Sequence, residues 1–130
     1  MVGPPDMSLL PEFKAEIDEL NVDYEEATDV RDVIDQADVI YMEPVVQADY
    51  TASREERGDK VGLTPPEYCV TRELLKDKAK RSSIILHSLP RMDELLSDVD
   101  ATRHQRYWAE AFNGVVLKMG MLALILGAAE

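Results

Sequence analysis

The order of apolar and polar residues alternates between segments with helical spacing and short apolar runs. Helices are predicted for PEFKAEIDEL (11–20), where apolar residues recur at helical spacing, and for TDVRDVIDQA (28–37) and TRELLKDKAK (71–80), which open with a threonine cap candidate and early acidic residues. The apolar runs DVIYM (38–42) and SSIILH (82–87) predict buried strands. Strands that alternate with helices indicate an α/β fold with a parallel sheet and crossover helices.

Four further segments carry weaker signals. VDYEEA (22–27) is short and compatible with a strand, EYCVT around Cys69 reads as another short strand, and TASREERGDK (51–60) is predicted to be a mobile loop. VGPP near the start resembles the tail of a strand that no full strand and helix precede. A lone cysteine excludes an internal disulfide framework and the usual zinc patterns, so we predict no metal site and no cofactor, with Cys69 as a small buried side chain.

The end of the chain has a different pattern. VVLKMGMLALILGAA (115–129) is apolar on nearly every helical face, is interrupted by Lys118, and is shorter than the roughly 20 apolar residues of a membrane span. Lys118 itself is interpreted as a helix residue that extends its charge to water. A helix that is hydrophobic all round must be buried, and a small domain cannot surround it. We therefore predict that residues 111–129 pack on a partner chain.

Composition narrows the classes of function. With 130 residues and 45% hydrophobic residues, the chain fits a single globular domain spanning 1–130. The formal net charge of −12 argues against nucleic acid or an anionic membrane as partners. MVGPPDMSLL lacks the basic and apolar regions of a signal peptide, so a cytoplasmic location is predicted.

The stretch ILHSLPRMDELLSDVDATR (85–103) contains the candidate site. A strand ends there in a polar, proline-containing segment, and ligands of open α/β sheets bind beyond the carboxyl ends of the strands. HSLPRMDELLSDVD resembles the HPLPRxDEI…DVD segment of aspartate transcarbamoylase catalytic chains, and RYWAEAFNGVVLKMGMLALILG resembles the YFxQAxNGxxxRxALLAxxL ending of that family. ADVIYM and VGPPDMSLLPE are similar to two earlier strands of the family, so blocks in the right order cover nearly the whole chain.

The resemblance is to the second, acceptor-binding domain of the family. It implies a partial doubly wound parallel sheet that lacks the first strand and helix of that domain, as well as the separate carbamoyl-phosphate domain with its phosphate loop. An open gap in a sheet invites pairing with another chain. The missing strand and the uncovered apolar tail have one common explanation, which is that the chain is half of a split enzyme.

The match also implies roles for individual residues. The carbonyl groups of Ser88 and Leu89 would line the pocket that holds the amino group of the carbamoyl donor. Ser88 stands where aspartate enzymes have proline and ornithine enzymes have cysteine, so the ligand is expected to differ. Pro90 would position the loop, and His87 is either part of this pocket or a core histidine satisfied within the protein.

Two other positions leave alternatives open. Arg91 could hold a carboxylate or sulfate through two hydrogen bonds, or could pair with Asp93 or Glu94 to fix the loop. In YMEPVVQADY, the segment from Glu43 to Gln47 stands where the family has the loop that binds aspartate. Glu43 and Pro44 lie near the positions of the family's threonine and arginine. Gln47 aligns with the family's glutamine only if one residue is inserted. Glu43 should repel aspartate or accept a hydrogen bond from an amine, although ordinary loop variation gives the same pattern. Arg54 or Arg57 could reach the pocket from the neighbouring loop.

Three functions follow from the resemblance. The first is the small subunit of a split transcarbamoylase-like enzyme, inactive alone, that joins a companion chain carrying the phosphate-binding domain. Its substrate would be a small amine with an anionic leaving group, as in the relatives that close an aziridine with loss of sulfate. The second is carbamoyl transfer to aspartate or another amine, and the third is a non-catalytic stabilising subunit. A hetero-oligomer with threefold symmetry is expected, and no residue is assigned a catalytic role.

Overall fold

In the part of the chain that the structure describes, a small parallel sheet is combined with three α-helices. The computed structural model describes residues 1–44 and 64–128. β1 and β2 pair in parallel, in a register that runs from Val39 opposite Ile84 to Met42 opposite His87. The predicted α/β class with a parallel sheet is therefore confirmed. The helices and strands are α1 (Pro11–Glu19), β1 (Val39–Met42), α2 (Arg72–Lys78), β2 (Ile84–His87) and α3 (Tyr107–Ile125), joined in part by short 3-10 turns.

Helix α2 forms where its local signals predicted. The Thr71 side chain accepts a hydrogen bond from the Leu74 amide at 3.1 Å and so caps the first turn. Glu73 lies in the first turn and Lys78 in the last, both favourable to the helix dipole. Leu75 is 98% buried in the core, which fixes the face that the helix presents to the sheet.

The helix predicted over 28–37 is wrong. Only a 3-10 turn forms there, over Val30–Asp32, and its cap is Asp29, not Thr28. The Asp29 carboxylate accepts from the Arg31 amide at 2.8 Å and also binds the Arg31 guanidinium, so this local pair closes a single turn. Ile34 is buried one turn later, which satisfies the apolar spacing without a longer helix.

Two predicted strands are reduced to isolated bridges. In 22–27 only Ala27 pairs, with Val2, and around Cys69 a 3-10 turn is followed by a bridge between Val70 and Leu95. Cys69 is half-buried, and desolvation, followed by nearby carboxylates, raises its pKa. The thiol therefore remains protonated at neutral pH, as expected of a structural cysteine.

The core lies beneath β2. The Ile85 amide donates to the His104 carbonyl at 2.7 Å, and the Ile85 carbonyl accepts from the Arg106 amide at 3.0 Å. β2 is thus paired on both edges, whereas β1 has only β2 beside it among the described residues. A cavity of about 390 Å³ lies between Met1–Val2 and β1. The buried apolar residues are Val30, Ile34, Met42, Val70, Leu75, Ile85, Leu95, Val99 and Tyr107.

Helix α3 contributes little to this core. Tyr107 is its one buried residue in the described structure, while Leu117 and Ile125 are 65% and 75% exposed. By length and composition α3 could also cross a membrane, and its apolar stretch is not buried within the chain. This apolar surface agrees with the expectation that a small domain cannot surround the helix.

Candidate functional site

His87 is the last residue of β2, and both of its ring nitrogens and its amide have hydrogen-bond partners within the protein. The Leu89 amide donates to Nδ1 at 2.8 Å, so the ring proton belongs on Nε2, which lies 2.7 Å from Oε1 of Glu94. The His87 amide donates to Oε2 of Glu110 on α3 at 2.9 Å. The imidazole therefore holds the turn after β2 in place, which corresponds to the satisfied core histidine of the sequence analysis.

Glu94 is the buried centre of this turn. Its side chain is fully buried, and Oε1 also accepts from the Met92 amide at 2.8 Å. Oε2 has no hydrogen-bond partner among the described residues. The sequence did not identify this role, because nothing local distinguishes Glu94 from its acidic neighbours.

Ser88, Leu89 and Pro90 form the surface of the turn. The Ser88 hydroxyl donates to Oε2 of Glu43 at 2.6 Å, which brings together two residues from the ends of adjacent strands. Leu89 has a φ of 54°, in the left-handed region, and Pro90 is exposed. Within the described parts of the chain, neither the Ser88 nor the Leu89 carbonyl accepts a hydrogen bond.

Arg91 is engaged by a partner that the sequence did not predict. Its guanidinium binds the Asp100 carboxylate with both Nη atoms, at 2.8 Å for Nη2 and Oδ2, and Nη1 lies 3.2 Å from the Tyr107 hydroxyl. The alternative in which Arg91 pairs with Asp93 or Glu94 is therefore not the one that forms. The Asp93 carboxylate has other partners, because it accepts hydrogen bonds from the Thr64 amide at 2.7 Å and from the Thr64 hydroxyl at 2.5 Å.

The Arg91 cluster has marked electrostatic effects. Hydrogen bonding from Arg91, and then from Tyr107, lowers the pKa of Asp100 to about 2 despite some desolvation. Burial, followed by the Asp100 carboxylate, raises the pKa of Tyr107. The guanidinium also lies 5.6 Å from the Trp108 ring centroid. A side chain held in this way positions the loop and is poorly placed to grip a free carboxylate.

The carboxyl end of the sheet is acidic. Tyr41 lies on β1, two residues before Glu43. Its pKa is raised by desolvation first, then by the Glu110 carboxylate and finally by the Glu43 carboxylate. Gln47, Arg54 and Arg57 lie outside the described residues, as does the predicted loop 51–60. Within the described residues, no cluster of His, Cys, Asp or Glu is suited to a metal ion. The carboxylates of Glu43 and Glu110 lie at this end of the sheet, bonded to the Ser88 hydroxyl and the His87 amide.

Comparison with known proteins identifies what this arrangement is similar to. The family described as aspartate/ornithine carbamoyltransferase, Asp/Orn binding domain, matches residues 1–125. The aspartate carbamoyltransferase catalytic subunits of Hyperthermus butylicus and Methanopyrus kandleri are 36% and 32% identical over 127 residues. These matches cover 98% of this chain but 39% and 40% of the two relatives. The chain thus spans about two fifths of their length.

Solved structures agree on the fold. The catalytic subunit of M. jannaschii aspartate transcarbamoylase superposes with a TM-score of 0.72 at 24% identity, covering 98% of this chain and 40% of that one. The Trypanosoma cruzi aspartate transcarbamoylase in complex with phosphate gives 0.71 at 20% identity, covering 94% and 36%. At this level of identity the similarity establishes the shared fold.

Proposed function

Because this chain belongs to the aspartate/ornithine carbamoyltransferase family, we propose that it supplies the acceptor side of a composite transcarbamoylase-type site. The phosphate-binding side would come from a companion chain, and neither half would be active alone. Chemistry of this type needs an amine held near an electrophilic carbon and stabilisation of a leaving oxyanion, and it needs little covalent help from the protein. His87 and Pro90 would position the turn, with Arg91 fixing its far end.

The position of the Ser88 and Leu89 carbonyl groups is the observation that carries this proposal. They follow directly after β2, and no described residue donates to them. The turn around them is held by the buried pair of His87 and Glu94 and by the Arg91–Asp100 ion pair. Two preorganised acceptors on a fixed turn suit an amide or amine N–H of a substrate.

The acceptor we propose is an amine without a carboxylate at the Glu43 side. The Glu43 carboxylate lies at the site through its hydrogen bond with Ser88, and the nearby cation Arg91 is neutralised by Asp100. A carboxylate here would repel aspartate and attract an ammonium group.

The companion chain is supported by two uncovered surfaces. β1, which has only β2 beside it among the described residues, borders the cavity next to Met1–Val2, where a further strand would pair. Residues 111–125 of α3 present exposed apolar side chains that a second domain would cover. A cytoplasmic hetero-oligomer with threefold symmetry, binding neither nucleic acid nor a membrane, remains our proposal for the assembly.

Two reactions fit this site. In carbamoyl transfer, which the names of the relatives favour, the amine nitrogen bonds to the carbamoyl carbon, the carbon–oxygen bond to phosphate breaks, and the amine loses a proton. In aziridine closure, an amine nitrogen bonds to a carbon of its own molecule that carries sulfate, the carbon–oxygen bond breaks, sulfate leaves, and the nitrogen loses a proton. Glu43 lies near the positions of the threonine and arginine in the family's aspartate-binding loop, which favours a substrate other than aspartate in either reaction.

An assay of the assembled chains tests the proposal. The 130-residue chain and its companion are incubated with carbamoyl phosphate and either aspartate or 1,4-diaminobutane, and separately with a 2-aminoalkyl sulfate, while phosphate or sulfate release is measured. We expect release with an amine substrate and little with aspartate. Preferred turnover of aspartate would contradict the altered acceptor, and an assembled complex inactive with all three would indicate a stabilising subunit.

A further inference from the structure

A second cavity lies at the opposite end of β2 from His87. It has a volume of about 540 Å³ and is formed by α2, the turn before β2 and the segment before α3. Ala79 and Ala101 supply apolar surface, and no acidic residue lines the cavity. Its polar side chains are Arg72, Lys76, Arg81, Thr102, Arg103 and His104.

This concentration of positive charge is not explained by composition or by local pairing. The chain has 26 acidic residues against 14 lysines and arginines, yet four of those cations line this cavity. None of the four forms an ion pair with a described residue. Arg72 and Lys76 are four residues apart on α2, a spacing at which like charges repel, and Arg72 opposes the dipole at the start of the helix.

His104 forms part of the cavity wall between the turn before β2 and the segment before α3. The residue is 6% exposed, and Nδ1 donates to the Ser83 carbonyl at 2.9 Å. This bond fixes the imidazole to the turn, so the positive charge of the cavity comes from its four lysine and arginine side chains.

We propose that this cavity binds an organic phosphate monoester. The guanidinium groups of Arg72 and Arg103 can hold phosphoryl oxygens through paired hydrogen bonds, and Lys76 adds a compact charge. Ala79 and Ala101 provide apolar contact for the organic part of the ligand. The volume lies within the range of small-molecule sites, and the site is separate from the turn at His87.

Binding of phenyl phosphate tests the proposal by isothermal titration calorimetry. The titration uses the 130-residue chain in whatever complex it forms, and compares the native protein with Arg72→Gln/Lys76→Gln. Losing two charge-assisted contacts should raise the Kd by at least about tenfold. The matched control is Lys78→Gln, a charge removal on the same helix, whose Nζ binds the Arg31 carbonyl at 3.0 Å and does not line the cavity. This control should change the Kd less than about twofold.

Binding of inorganic phosphate as tight as phenyl phosphate would contradict an organic ligand. Phenyl phosphate binding that is absent, or that is unchanged by Arg72→Gln/Lys76→Gln, would overturn the site whatever the outcome of the turnover assay.

Discussion

Nε2 of His87 and Oε1 of Glu94 lie 2.7 Å apart, and both side chains are completely buried. This pair joins the end of β2 to the turn that carries Ser88 and Leu89. Since the same carboxylate oxygen also accepts from the Met92 amide, one acidic side chain holds two separate points of the turn. The geometry of the proposed acceptor site therefore depends on a residue that need not touch the substrate.

Replacing Glu94 should destabilise the domain in a graded way. In Glu94→Leu the His87 ring and the Met92 amide become buried donors without an acceptor, which should lower the free energy of unfolding by about 3 kcal/mol. Glu94→Gln keeps an acceptor oxygen and should cost roughly 1–2 kcal/mol. Denaturant unfolding measures both, with the exposed Glu16→Gln as the control. Equal losses for the two Glu94 variants would contradict the role of Oε1.

The Arg91–Asp100 pair should make stability depend on pH. Because the pKa of Asp100 in the fold is about 2, below its usual 3.8, the ionised carboxylate stabilises the fold above about pH 4, and this contribution is lost as the pH falls towards 2. Its side chain is 36% exposed, so solvent screening leaves about 1 kcal/mol.

Unfolding of the native chain and of Asp100→Asn at a series of pH values measures this effect. The difference in unfolding free energy between them should shrink by about 1 kcal/mol from pH 5 to pH 2. A difference that stays constant over this interval would show that the Asp100 carboxylate is not stabilised by Arg91.

Glu43 should determine which acceptor is used. Glu43→Gln removes a negative charge near a cationic amine, and we expect the KM for that amine to rise by about tenfold with kcat less affected. Glu43→Arg should instead improve the use of aspartate. Ser88→Ala is the control, since it removes the hydroxyl partner of Glu43 but leaves the carboxylate. Steady-state kinetics of the assembled enzyme would contradict the account if Glu43→Gln lowered the KM for the amine.

The exposed side of α3 should be needed for assembly but not for the fold of the domain. Leu117 is 65% exposed and outside the core, so Leu117→Asp should leave the secondary structure unchanged in circular dichroism while weakening association with the companion chain. Glu16→Asp, on exposed α1, serves as the control. Light scattering measures the mass of each complex. If the Leu117→Asp variant assembles as fully as the native chain, the exposed side of α3 is not the surface that binds the companion chain.

Much of the fold could be predicted because its signals are local. The threonine cap and charge order of α2, and the apolar runs of β1 and β2, lie within a few residues of the elements that they specify. The prediction over 28–37 failed because Asp29 and Arg31, two residues apart, form a local pair that closes a shorter turn. Spacing of apolar residues alone does not distinguish these outcomes.

The candidate site was predicted only in part. The motif placed His87 and Ser88 at the end of a strand, and the structure brings Ser88 to Glu43. The choice of Asp100 as the partner of Arg91, and of Glu110 for the His87 amide, depends on how α3 and its preceding loop pack on β2. Several acidic residues lie close to Arg91 and His87 in the sequence, so only the tertiary structure shows which of them is the hydrogen-bond partner.

The most direct test of the central claim is the rate of phosphate release when the 130-residue chain is titrated into a fixed amount of its companion chain, with carbamoyl phosphate and 1,4-diaminobutane present. The account predicts no release by either chain alone and a rate that rises and saturates at a fixed stoichiometry, with Glu43→Arg reducing it. Release by this chain alone, or a rate from the companion that does not change as the chain is added, would contradict a composite site.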